Sequence, residues 1–434
     1  MILNCIVNIN KMSKELKFID LGYKPKDDLI CLFKIKPARG LSVKQAANTV
    51  ALESSVGTWT EVKNENYVRK LRARVFSING NWIKIAYPEE IFELDNVPNI
   101  FSSIAGNIMG MKSVDSIRLE DVSFPKKILK SFDGPRYGIN GIRKMMKIKE
   151  RPLIGTIIKP KLGLFTKDHA QVAYESWSGG CDLIKDDENL SSQKFNTFEE
   201  RIARTLEKAH KAEEETGEKK AYLVNVTAET KEMIKRAQLV EDLGGKYVML
   251  DIITAGWAAL QTLREADFKM AIHAHRAMHA AFDRNPNHGV SMMVIADFAR
   301  LIGVDQLHIG TGIGKLEGKI EDVEDLLEEI EVKDVKATHE RLNQNWMNIK
   351  PVLGVSSGGL TPLHFPYLIK HLGKNIVLQC GGGIHGNWLG ARMGAVAARQ
   401  SIDAVMKGIS LKEYAKEHEE LKSTINQWGI PKEK

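Results

Sequence analysis

Eight short apolar runs between residues 152 and 380 constrain this chain more than any other feature. They fall at 152–158, 181–184, 221–226, 247–253, 270–275, 306–309, 352–355 and 376–380, and each ends in glycine, charge or histidine. Short apolar runs rich in β-forming residues and bounded by such signals read as strands. Stretches between them, such as 170–178, 198–215, 229–243 and 321–330, carry apolar residues at helical spacing. Eight strands alternating with helices over roughly 280 residues match the count and size of a (β/α)₈ TIM barrel, an α/β fold. A doubly wound open sheet is the runner-up, but it would carry its glycine-rich phosphate loop after the first strand. Here the glycine clusters come last, at Ser357-Gly358-Gly359 and Gly381-Gly382-Gly383.

A chain of 434 residues exceeds one compact core, so a second domain is expected. Residues before about 135 read differently from the barrel, with strand-like runs at 30–35, 68–78 and 82–87. Ser42 and Gln45 have the spacing of a capping box opening a helix through Leu52. The expectation is an α+β N-terminal domain over 1–134 and the barrel over 135–434.

Composition limits the partners. Apolar residues make up 43% and charged ones 27%, and the net charge is +7. No Lys/Arg run is interleaved with aromatics, which argues against nucleic-acid binding; a mild positive excess suits an anionic small molecule. Cys5, Cys31, Cys181 and Cys380 form no CxxC pair, which points to a reducing compartment without disulfides or a zinc site. No run approaches the ~20 apolar residues a bilayer span needs. The first ten residues lack a basic n-region and a cleavage site, and Met12 is an alternative start. The chain reads as cytoplasmic, with no membrane.

The chemistry concentrates just after the strands, on what would be the catalytic face of a barrel. In Gly179-Gly180-Cys181-Asp182-Leu183-Ile184-Lys185-Asp186-Asp187-Glu188-Asn189 an apolar run ends in one lysine and three carboxylates. Packed acids repel one another unless a cation neutralises them, and oxygen ligands suit Mg²⁺. A protonated lysine cannot bind a metal, but Lys185 with CO2 added would be a carbamate and supply a third anionic oxygen. Strand one leads to Lys159-Pro160-Lys161. Strand five ends in His273-Ala274-His275-Arg276, its histidines on one side by the period of two. Strand six brings His308 and the loop Gly310-Thr311-Gly312-Ile313-Gly314-Lys315-Leu316-Glu317, whose glycines suggest a lid carrying Lys315. The last two glycine loops offer backbone N–H donors, with the Ser357 hydroxyl beside them. Anion-binding groups on opposite sides of one mouth suit a substrate with a phosphate at each end.

These residues resemble the large subunit of ribulose-1,5-bisphosphate carboxylase/oxygenase (RuBisCO). The resemblance runs from about Tyr23 to Asn387 through GTIIKPKLGL (155–164), GGCDLIKDDEN (179–189), HAHRAMH (273–279), HIGTGIGKLEG (308–318), SSGGL (356–360) and QCGGG (379–383), with ESSVGTWTEV (53–62) and SIAGN (103–107) nearer the start. It implies a carbamate on Lys185, formed by an activating CO2, that binds Mg²⁺ with Asp187 and Glu188 and removes the C3 proton of ribulose 1,5-bisphosphate. It implies Lys159 as the final proton donor, tuned by Lys161, with His275 assisting proton transfers. Lys315 would stabilise the new carboxylate after CO2 attack. One phosphate would lie against Thr58, Trp59, Gly359, Gly381 and Gly382, the other against Arg276, His308 and Ser357, with Gly358 in the same loop as Gly359. Glu53 and Asn107 would come from the partner subunit of an obligate homodimer or larger homo-oligomer. The KDDENLSSQ continuation resembles the archaeal form III branch, where form II proteins tend to show KND. That branch implies no small subunit and a role in AMP and nucleoside-phosphate disposal, with O2 as a competing co-substrate.

Two rival readings differ in class. A RuBisCO-like enolase or isomerase keeps the carbamate and metal but not the groups for carboxylation; the presence of Lys315, Glu53 and Asn107 favours the carboxylase. A binuclear metallohydrolase pairs HxH after strand one with an aspartate after strand eight, whereas here HxH follows strand five.

Overall fold

The computed structural model describes residues 16–58, 63–314 and 318–431. They fall into two compact units, one comprising the chain up to Asp133 with Met278–Ile302 and Val332–Ile349, the other Gly134–Ala277, Gly303–Glu331 and the chain from Lys350 onward.

The first unit is built on a five-stranded sheet. Its central strand, Asp28–Pro37, pairs antiparallel with Trp82–Pro88 on one side and Val114–Ser123 on the other. Arg74–Asn79 pairs with Trp82–Pro88 across a two-residue connection in which Gly80 has φ +58°, the left-handed conformation such hairpin turns require. Gly289–Val290 extends the other edge in parallel. Leu29, Cys31, Leu32, Phe33 and Ile35 of the central strand are all buried. The expected capping box is present: Gln45 N–H donates to Ser42 Oγ at 3.2 Å and Ser42 N–H to Gln45 Oε1 at 2.9 Å, opening the helix Val43–Glu53.

The strand expected over 68–78 is shorter than read. Glu65–Val68 is a helical turn continued by a 3₁₀ turn at Arg69–Leu71, and the strand begins at Arg74. Charge pairing explains the difference, since Glu65 meets Arg69 one helical turn on at 3.7 Å and Arg72 at 2.7 Å. Helical spacing of opposite charges outweighs the β-branched Val68.

The second unit is a closed barrel of eight parallel strands, Leu153–Ile157, Leu183–Lys185, Ala221–Asn225, Tyr247–Asp251, Ala271–His275, Gln306–His308, Leu353–Ser357 and Ile376–Cys380. All eight expected runs are strands, and the last pairs with the first to close the ring. Helices Thr166–Ser178, Phe198–Thr216, Thr230–Asp242 and Ile320–Glu331 stand where helical periodicity places them. The helix Gly138–Met146 packs Ile139, Ile142 and Met146 onto Leu153, Leu183, Leu223 and Val377 of the strands. This plugs the N-terminal end of the barrel with apolar side chains, and polar residues collect at the other end. No helix among the described residues is long and apolar enough to cross a membrane.

Candidate active site

The second strand stops at Lys185, and the pleat decides which way each following side chain points. Lys185 is 1% exposed. Its Nζ donates to Asp186 O at 2.8 Å and lies 3.7 Å from Glu188 Oε2. Burial pushes its pKa down, against the pull of Glu188, Asp251, Asp187 and Asp186, so the free amine is easier to reach than in an exposed lysine. Asp187 is also buried and accepts from Lys159 Nζ at 2.6 Å. Burial alone would raise the Glu188 carboxyl; Lys185 and His275 reverse this and lower it.

Asp186 corrects the expectation that three acids converge. It points the other way, into the layer between the barrel and its helices. There it accepts from Tyr222 Oη at 2.5 Å and Asn225 N–H at 3.1 Å, and lies 3.2 Å from His169 Nε2 and 3.5 Å from Arg201 Nε. Burial opposes its ionisation, but Arg201, His169 and Tyr222 bring the carboxyl down to about 2. Of the three consecutive acids only Asp187 and Glu188 therefore turn towards Lys185.

The histidines assemble as their spacing predicts. His275 Nδ1 is 2.8 Å from Asp251 Oδ1, and its Nε2 is 3.7 Å from Glu188 Oε2. His273 Nε2 and His308 Nε2 are 2.9 Å apart and share one hydrogen, while His273 Nδ1 meets Gln306 Oε1 at 2.8 Å. The His308 ring also packs edge-on against His275, with centroids 4.7 Å apart. Burial lowers all three pKa values, that of His273 to about 3, so the rings are neutral near pH 7.

The loops gather around this centre. Lys161 Nζ donates to Asn189 Oδ1 at 2.8 Å. A Cβ on Gly310 would meet Arg276 Nη2 at 2.8 Å, and one on Gly314 would meet Gly358 O at 2.8 Å. The stem of the expected lid thus passes close to Arg276 at Gly310 and to the strand-seven glycines at Gly314, with no room for a side chain at either position. A Cβ on Gly381 would lie 3.1 Å from Lys159 Cε, whereas one on Gly382 would meet nothing within 4 Å. Ser357 closes the seventh strand. Lys315 and Trp59 lie outside the described residues, and Thr58 is the last one before that gap. Glu53 and Asn107 belong to the first unit, where Asn107 Nδ2 donates to Glu53 Oε1 at 3.2 Å.

Sequence reasoning passed over Asp251, which orients His275, and Asn225, whose amide faces three carbonyls of the 187–190 loop. Both stand at the C-terminal end of a barrel strand, and that position is the signal that could have found them. Among the described residues no group of three His, Cys, Asp or Glu side chains is assembled to hold a metal ion. Asp187 and Glu188 offer hard oxygen donors that fit Mg²⁺, and Lys185 beside them is the residue on which the family resemblance leads one to expect a further anionic oxygen.

Comparison with known proteins is consistent along nearly the whole chain. Residues 138–428 match the family model of the ribulose bisphosphate carboxylase large chain, catalytic domain, and residues 17–128 match its N-terminal domain. The ribulose bisphosphate carboxylase of Methanosarcina barkeri is 50% identical over 95% of this chain and 98% of its own length. That of Methanocaldococcus jannaschii is 49% identical over 95% of this chain and all of its own. Among solved structures, the dimeric archaeal Rubisco from Hyperthermus butylicus superposes with a TM-score of 0.92 at 46% identity, covering 96% of this chain and 99% of that one. The octameric enzyme from Pyrococcus horikoshii gives 0.89 at 44%, covering 96% and 97%. A closed barrel with the lysine–carboxylate–histidine cluster at its mouth, two matched domain models and archaeal relatives half identical over nearly the full length identify the chain as a member of the RuBisCO large-chain family.

Proposed function

We propose that the protein carboxylates D-ribulose 1,5-bisphosphate with CO2 and water to two molecules of 3-phosphoglycerate, with O2 as a competing co-substrate. The observation that carries this reading is the buried Lys185 beside Asp187, Glu188 and His275 at the barrel mouth. As a free amine, Lys185 adds to CO2: an N–C bond forms, the nitrogen releases a proton, and a carbamate anion results. The carbamate, Asp187 and Glu188 would hold Mg²⁺, which when bound supplies the positive charge that stabilises enolate oxygens.

The chain's own groups do the proton work. The Lys185 carbamate takes the substrate's C3 proton. His275, neutral and oriented by Asp251, carries protons between substrate oxygens. Lys159, a third exposed and backed by Gly381, returns the last proton to the carbanion left by C–C cleavage, with Lys161 beside it. Lys315 stabilises the carboxylate that forms. The substrate's phosphates bind on opposite sides, one at Thr58, Trp59, Gly359, Gly381 and Gly382, the other at Arg276, His308 and Ser357, with Gly358 shaping the loop between.

Glu53 and Asn107, on the 1–134 domain, complete the site of a partner subunit. Relatives described as dimeric and octameric support a homo-oligomer, and the resemblance to the form III branch supports one without a small subunit. The resemblance of the KDDENLSSQ segment to the archaeal form III branch is what supports a cytoplasmic role in AMP and nucleoside-phosphate disposal. Product counting tests the reading: two 3-phosphoglycerate per ribulose bisphosphate consumed under CO2 support it, and an isomerised bisphosphate with no C–C cleavage refutes it.

A further inference from the structure

The barrel ladder stops just where the chemistry begins. Ile158 N–H donates to Lys185 O and Asp186 N–H to Leu223 O, each at 3.2 Å. Beyond Asp186 the chain leaves the sheet, yet Asp187 and Glu188 must hold fixed directions. Two buried residues of the second unit supply what the ladder no longer does. Asn225 Nδ2 faces the carbonyls of Asp187, Glu188 and Leu190 at 3.4, 3.2 and 3.0 Å, and its Oδ1 accepts from Thr227 N–H at 3.0 Å. Asp186 is tied to Asn225 N–H, to Tyr222 and to the fully buried Arg201, so it anchors the peptide between Lys185 and Asp187 from the helix side of the sheet.

We propose that Asp186 and Asn225 are positioning residues that hold Lys185, Asp187 and Glu188 in the geometry needed for carbamate formation and Mg²⁺ binding. The inference rests on the function proposed above and adds two residues to its machinery, neither of which touches substrate. Removing outer partners that orient metal ligands costs on the order of 10–100-fold in metal affinity.

Asp186→Asn alone would strand the buried Arg201 charge and confound positioning with stability. The test therefore uses Asp186→Asn combined with Arg201→Met, which removes both charges, and separately Asn225→Ser. Each protein is titrated with Mg²⁺ in ¹³C-bicarbonate, and the carbamate carbon is followed by ¹³C NMR with no sugar phosphate present. Thermal unfolding without Mg²⁺ or CO2 is the control. The expected result is an unfolding temperature near that of the wild type, with the half-saturating Mg²⁺ concentration raised about tenfold or more. If the double variant does not fold, Asn225→Ser decides on the same readout. A folded variant that forms carbamate at the wild-type Mg²⁺ concentration overturns the positioning role and leaves the carboxylase reading standing. A wild type that forms no carbamate at any Mg²⁺ concentration overturns both.

Discussion

Replacing Lys185 with methionine should make the resting protein more stable while abolishing its activation. An ammonium carries three donors, and among the described residues Lys185 Nζ has one hydrogen bond, to Asp186 O, with Glu188 at 3.7 Å. At 1% exposure water does not supply the rest. Each buried donor left without a partner costs about 1–3 kcal/mol, a cost an apolar side chain of similar volume does not carry, whereas removing one partner of a tight buried ion pair costs about 3–5 kcal/mol where the remaining charge is left uncompensated. One feature pulls the expected gain to the lower end: Asp187 and Glu188 lose a counter-charge. The loss is modest, since Lys159 still neutralises Asp187 at 2.6 Å and Glu188 is a third exposed. We expect about 1–2 kcal/mol, or roughly 2–8 °C in Tm for a domain of this size. The sign with pH is also set. Burial lowers the folded pKa below the ordinary 10.5, so the wild-type penalty is complete below the folded value and fades as pH rises towards 10.5. The gain from methionine should therefore be larger at pH 7 than at pH 10. Calorimetry on protein freed of Mg²⁺ and CO2 measures both. A fall in Tm of similar size at pH 7 would refute the argument, because the amine's contacts would then outweigh its desolvation.

Other outcomes follow from the same reasoning. Burial would raise the Glu218 carboxyl, but Arg399 at 3.0 Å and Lys220 at 2.8 Å bring it down to about 2. That contribution is present above the unfolded value of 4.5 and lost as pH falls towards 2. With the side chain 40% exposed, Glu218→Gln should cost only about 1 kcal/mol at pH 7 after allowance for solvent screening, and urea titrations at pH 3 should show a smaller difference. Lys315→Ala should leave C3 proton exchange intact and stop carboxylation; loss of exchange as well would place the lysine earlier in the reaction. Glu53→Ala and Lys185→Ala subunits, each inactive alone, should recover activity when mixed, and proven mixed dimers without activity would count against shared sites.

Much of this molecule is legible in its sequence because barrel strands are buried on both faces. Continuous runs such as 247–253 and 376–380 stand out against amphipathic helices, and the Ser42–Gln45 box marks a helix start by its own hydrogen bonds. What escaped is decided by direction rather than composition. Lys185, Asp186 and Asp187 read as one charged cluster, yet the pleat sends Asp186 to Arg201 and the other two to the mouth. Asp251 and Asn225 look like ordinary strand-end polar residues until the fold brings His275 and the 187–190 carbonyls to them. Val68 misled because charge pairs at helical spacing outweighed a β-branched residue.

The central claim, that this protein forms a C–C bond between CO2 and ribulose 1,5-bisphosphate, is tested most directly by isotope transfer. Protein preincubated with bicarbonate and Mg²⁺ under anaerobic conditions is given ribulose 1,5-bisphosphate and ¹⁴CO2, and acid-stable label is measured. The account predicts label in the carboxyl group of 3-phosphoglycerate, and none from Lys185→Met protein. A folded, oligomeric and carbamylated wild type that fixes no label would contradict it and redirect the chemistry to enolisation alone.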